Sequence, residues 1–149
     1  MPRRPLPPWW PLATETLTAT ILQRHDRATR AAQQLHDQFG SEVIPRVLKA
    51  WIDTLLARYP KPAAAVGPRF LGEETGALGT VDTVPPSVAW AGRLIAARAN
   101  DDRLQFVALI NSVESDEQWS ANVKSVLNVV STTLRMLGVA DELRKAGHS

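Results

Sequence analysis

The amino-acid sequence predicts an all-α fold: an irregular bundle of about five helices, with a proline-rich extended N-terminal arm and a long Pro/Gly-rich loop between the second and third helices. Three observations carry this. Apolar residues return every three or four positions across residues 44–59 and again across residues 119–137, the period of a helix that buries one face. Residues 1–12 (MPRRPLPPWWPL) hold five of the eleven prolines, which lack the amide hydrogen that a helix interior needs. Residues 60–86 hold five more, with four glycines and almost no periodicity, a connection longer than compact domains usually contain.

The arm is expected to run extended over residues 1–12, leaving residues 13–149 as one helical domain. Its Trp9 and Trp10 either fold back on the body or present an apolar anchor, because free solvation of two indoles is the least favourable choice. The first helix starts at Thr14, an N-cap with Glu15 complementing the positive helix end, and runs to Gln38 before Gly40 stops it. Leu17, Ile21, Ala28, Ala32, Leu35 and Phe39 make a thin stripe with a polar gap at Arg24 and His25, which predicts a peripheral helix. Ser41 caps the second helix, Pro45 falls in its first turn, and Ile44, Val47, Leu48, Trp51, Ile52, Leu55 and Tyr59 form its stripe. Pro60 ends it. In the following loop Phe70 and Leu71 offer an apolar pair, and residues 78–84 a short extended piece.

Pro86 and Ser87 open a third helix, in which Val88, Trp90, Ala91, Leu94, Ile95 and Ala97 are apolar on more than one side. Asn100 is the expected cap of the fourth, where Leu104, Phe106, Val107, Leu109, Ile110 and Val113 again surround the axis. Together these two helices carry more apolar surface than one small bundle is expected to cover. Ser115 opens the fifth helix through a capping box closed by Gln118. Its stripe is Trp119, Val123, Val126, Leu127, Val130, Leu134 and Leu137, and this period outweighs the strand preference of Val129, Val130, Thr132 and Thr133. Gly138 ends it, and residues 141–146 add a last short turn. Trp51, Trp90 and Trp119 are expected in the core.

Composition bounds the function. A chain of 149 residues, 44% apolar and 21% charged, is the size and balance of one globular domain. The absence of cysteine removes disulfides, thiolate metal sites and cysteine nucleophiles, and fits a reducing cytoplasm. No run approaches the length of a membrane span, and the arm's prolines occupy the place where the apolar core of an export signal would form, so the expected location is cytoplasmic with no membrane partner. The net charge is only +2. Residues 1–50 carry seven basic and four acidic side chains, and residues 100–149 carry five and seven, too mild an asymmetry for nucleic acid to be the expected partner. Arginine outnumbers lysine thirteen to four and alanine is abundant, as in GC-rich bacterial or phage genomes.

Catalytic side chains are scarce. His25 and His36 lie eleven positions apart, about 16 Å along a helix axis, and cannot share one metal ion there. No metal and no cofactor are expected. Arg24, Arg27 and Arg30 advance by three and form a small basic strip, with Asp26 one turn from Arg30; this strip is the candidate phosphate contact. Asp101 and Asp102, and Asp116 and Glu117, sit where helix dipoles favour negative charge, whereas Glu73 and Glu74 lie in the loop.

Arg30, five intervening residues and His36 resemble the R-x4-6-H signature of the HEPN superfamily of helical ribonucleases. The resemblance covers two residues and the helical character of the chain. It implies a dimeric RNA-cleaving enzyme in which His36 acts as general base and Arg30 stabilises the phosphorane. Ala31 departs from that family, which usually has a polar residue after the arginine, and the motif falls in the first helix rather than the later ones. The arm segment ArgProLeuProPro (4–8) resembles the opening of a class I SH3 ligand, with Trp10 where the final proline would stand. The leading expectation is a non-enzymatic protein-interaction or assembly module whose partner is another protein or a second copy, with Trp9, Trp10, Phe70 and Leu71 as its contact residues.

Overall fold

The computed structural model describes residues 6–58 and 85–147. Among them are seven α-helices, one 3-10 turn and no strand: α1 (Trp10–Ile21), α2 (His25–Phe39), the turn Ser41–Val43, α3 (Ile44–Leu56), α4 (Pro86–Ala99), α5 (Arg103–Asn111), α6 (Asp116–Met136) and α7 (Val139–Lys145). The all-α prediction holds, and the number of helices is higher than expected.

One added helix comes from a break inside the expected first one. Leu22 ends α1, Gln23 takes φ +61°, and the Gln23 and Arg24 amides donate to the carbonyls of Thr20 and Ala19 at 3.0 and 2.8 Å. This is a Schellman turn with glutamine in the left-handed position that glycine usually fills. It folds α2 back on α1. The expected roles therefore change: α1 buries Ala13, Thr16, Leu17, Ala19 and Ile21, while α2 packs on α1 and buries only Ala28, Ala31 and Leu35.

The same device separates α4 from α5. Asp101, at φ +55°, and Asp102 donate their amides to Arg98 and Ala97 carbonyls at 3.2 and 2.8 Å. Asn100 thus closes α4 rather than capping the next helix, and Asp102 is the cap of α5, its carboxylate accepting the Gln105 N–H at 3.1 Å. The α6 start is as expected: Ser115 Oγ accepts the Gln118 N–H at 3.1 Å, and the Gln118 side chain reaches back to the Glu114 N–H. Gly138, at φ +85°, terminates α6, and the residues beyond it form α7.

Residues 10–12, expected to belong to an extended arm, are helical. α1 begins at Trp10, because Pro11 sits at the helix start, where its missing amide hydrogen has no acceptor to lose, and the Trp10 N–H donates to the Pro7 carbonyl at 3.0 Å. Residues 1–5 lie outside the described residues, as do Phe70, Leu71, Glu73, Glu74 and residues 78–84.

One core joins the helices. Leu48, Ile52 and Leu55 of α3, Leu94 and Ile95 of α4, and Val126, Val130 and Leu134 of α6 are fully enclosed, and α6 packs against α1, α3 and α4. Two indoles tie the layers by polar bonds as well as area: Trp51 Nε1 donates to the Ala13 carbonyl at 3.0 Å, and Trp90 Nε1 to the Leu109 carbonyl at 2.9 Å. Trp119 differs from expectation. It is half-buried at the rim, edge-on to Trp90 with ring centroids 6.1 Å apart at 81°. The hydroxyls that weaken local helix preference are absorbed by the helices themselves, Thr16 bonding the Leu12 carbonyl and Thr133 the Val129 carbonyl, both at 2.7 Å. Among the described residues no buried side-chain polar atom lacks a partner, and no helix is long and apolar enough to cross a membrane.

Candidate functional site

The α2 strip follows from that helix being covered on one side only. Arg24, Arg27, Arg30 and His36 are all exposed. Arg27 pairs with Glu15 across the α1–α2 turn at 3.2 Å, and a depression of about 190 Å³ beside it is lined by Glu15, Thr18, Arg24 and Arg27. Arg30 and His36, six residues apart, project about 120° from one another around the axis. His36 Nδ1 faces its neighbour Asp37 at 3.7 Å, and neither Arg30 nor His36 lines either of the two depressions described here. His25 opens α2 on the exposed side, and among the described residues no three His, Asp or Glu side chains gather closely enough to hold a metal ion.

A second surface lies where α1 starts against α3. Trp9 is a core residue, only 7% exposed, whereas Trp10 is half-buried; their rings are tilted 48° with centroids 6.0 Å apart. They border an open groove of about 560 Å³ whose other walls are Arg46, Lys49, Ala50, Asp53 and Thr54 of α3. Arg46 and Lys49 are exposed and make no ion pair among the described residues. Asp53 is already satisfied: Arg98 of α4 grips it through two bonds of 2.7 and 3.1 Å, and that grip holds the Arg98 pKa above its ordinary value against partial desolvation. The groove is therefore positive with an indole wall.

The third surface is α5. This helix packs against α4 and encloses only Leu109, with Phe106 and Ile110 half-buried. Its outer side carries Leu104, Val107 and Ala108 at the i, i+3, i+4 spacing of a docking stripe; Leu104 is 85% exposed and Val107 48%. Exposed carboxylates precede and follow it in the chain, Asp101 and Asp102 before the helix and Glu114, Asp116 and Glu117 after it, with the exposed Arg103 at its first position. The expected surplus of apolar surface thus belongs to α5 alone, since α4 is enclosed on most of its sides. A smaller apolar pair, Met136 and Leu137, is exposed at the end of α6.

Of the sequence-predicted contact residues, Trp10 borders a groove, Trp9 lies mostly behind it in the core, and Phe70 and Leu71 fall outside the described residues. Arg46 and Lys49 carried no sequence signal, because two cations three apart on an amphipathic helix read as a solvated face. Comparison with protein-family models, curated proteins and solved structures finds no match for this chain.

Proposed function

We infer that this chain is a non-enzymatic protein-interaction module and that α5 is its contact element. The observation that carries the reading is the Leu104, Val107 and Ala108 stripe. A nine-residue helix that is apolar toward both the core and the solvent exposes surface whose removal from water is favourable, about 25 cal/mol for each Å². Leucine has no helix-propensity advantage over glutamine or lysine at a solvent-facing position, and it is the contiguity of Leu104, Val107 and Ala108, not a single exposed leucine, that supports a contact role.

The test places a photo-cross-linking phenylalanine analogue at Val107, and at Gln33 on the solvent side of α2 as a control, in cells of the native host. A discrete protein adduct at position 107 and none at 33 is the expected result. Equal labelling at both positions, or none at 107, overturns the reading.

A further inference from the structure

We propose that the α5 stripe of one copy seats in the Trp10 groove of a second copy, so that the module's partner is itself. The proposal rests on the interaction reading above and adds the identity of the partner. Its basis is that the two surfaces match crosswise and only crosswise. The stripe is apolar, and the exposed charges next to it in the chain are five carboxylates against one cation, Arg103; the groove is walled by an indole and by Arg46 and Lys49, which make no ion pair among the described residues. Stripe against stripe would bring Asp101, Asp102, Glu114, Asp116 and Glu117 toward their own equivalents, and groove against groove would oppose the cations. Both arrangements carry like-charge repulsion where the crosswise contact carries attraction. The groove is roomy enough for the Leu104 and Val107 side chains, and Asp53, its one acidic wall residue, is neutralised in advance by Arg98. Nucleic acid is the poorer occupant, because two cations and a single half-exposed indole supply neither the run of phosphate contacts nor the succession of stacking rings that single strands use.

The contact joins two different patches, so it either closes reciprocally about a two-fold axis or propagates head to tail. The Arg98–Asp53 bridge ties the groove wall to the end of α4, from which α5 springs after the Asp101 turn. The two patches thus share one mechanical frame.

The test uses the purified full chain in sedimentation velocity over a range of concentrations and salt. The wild type is expected to self-associate, less tightly as salt rises, because the flanking charges are screened while the apolar seat is not. Leu104→Glu destroys the stripe and spares the groove; Arg46→Glu with Lys49→Glu reverses the groove and spares the stripe. Each variant alone should lose association by about tenfold or more, with an unchanged helical circular-dichroism signal. An equimolar mixture of the two should regain a 1:1 complex through the one contact left intact. Val107→Glu replaces Leu104→Glu if the latter fails to fold. A monomeric wild type, a groove variant that associates normally, or a mixture that forms no complex overturns the proposal. A cross-link from position 107 to a different protein, with the purified chain monomeric, overturns self-recognition and leaves the interaction reading standing; the absence of any adduct at position 107, with the purified chain monomeric, overturns both.

Discussion

Three tryptophans that look equivalent in the sequence do different work in the folded chain. Trp51 and Trp90 are enclosed and donate their indole N–H groups to carbonyls of other helices, while Trp119 leans edge-on against Trp90 from the rim. Trp51→Ala should cost about 3 to 5 kcal/mol in chemical denaturation, the range for deleting an enclosed aromatic side chain. Trp119→Ala, losing a half-exposed ring and one aromatic contact of about 0.5 to 1.5 kcal/mol, should fall clearly below that. Equal losses would mean that Trp119 is as enclosed as its partners. The carboxylate of Glu142 gives a second residue-scale prediction. Arg58 grips it with bonds of 2.7 and 2.9 Å, and chiefly through that hydrogen bonding its pKa is lowered from the ordinary 4.5. A depressed carboxylate contributes stability that is present above its unfolded-state pKa and is lost as pH falls through the folded value. NMR titration should therefore find the Glu142 midpoint below 4.5 and find it raised in Arg58→Met; a midpoint unmoved by that substitution would show that the pair does not form in solution.

At the scale of elements, the boundaries legible in the sequence are those marked by residues with one dominant local role. Ser115 with Gln118, Pro86, Pro45 and Gly138 all stand where their chemistry places them. The missed boundaries are the start of α3, where Ser41 opens a 3-10 turn instead of capping the helix, and the two Schellman turns whose left-handed residue is Gln23 or Asp101 rather than glycine. Glutamine does not advertise positive φ and aspartate does so only weakly, so the α1–α2 break lies hidden inside a run of good helix formers, and the α5 cap falls two residues beyond Asn100, the residue that the sequence favours. The arm was overextended for a related reason: five prolines read as a helix-free stretch, although Pro11 occupies a helix start. Strain at these turns is measurable. Gln23→Gly should raise stability by up to about 1 kcal/mol, since glycine adopts that conformation without the crowding of Cβ. Asp101→Gly should gain less, because aspartate tolerates the region better. A lowered melting temperature for Gln23→Gly would show that the α1–α2 reversal carries no such strain.

For the whole molecule, the core belongs to α1, α3, α4 and α6, and α2 and α5 are applied to its outside. α2 offers solvent a polar side and α5 carries the Leu104, Val107 and Ala108 stripe, and on that difference rests the proposal that α5 recognises another protein. Periodicity exposed the surplus of apolar residues in the fourth predicted helix, yet not which side stayed uncovered, because that depends on which neighbours α5 lacks. It follows that at concentrations where the chain is monomeric Leu104→Glu should leave the thermal midpoint nearly unchanged, within the roughly 0.5 kcal/mol typical of surface substitutions, whereas Leu109→Ala five residues later should cost about 2 to 5 kcal/mol. A Leu104→Glu protein that melts several degrees early would place that leucine in the interior. The edge-on meeting of Trp90 and Trp119 reaches further, because it couples rings on helices that are sequentially remote. Neighbouring indoles held at a fixed angle generate a near-ultraviolet dichroic band that vanishes once side-chain packing loosens, even while backbone helicity persists. The seam between α4 and α6 thus carries its own unlabelled spectroscopic gauge, able to register a loosened interior before any helix melts.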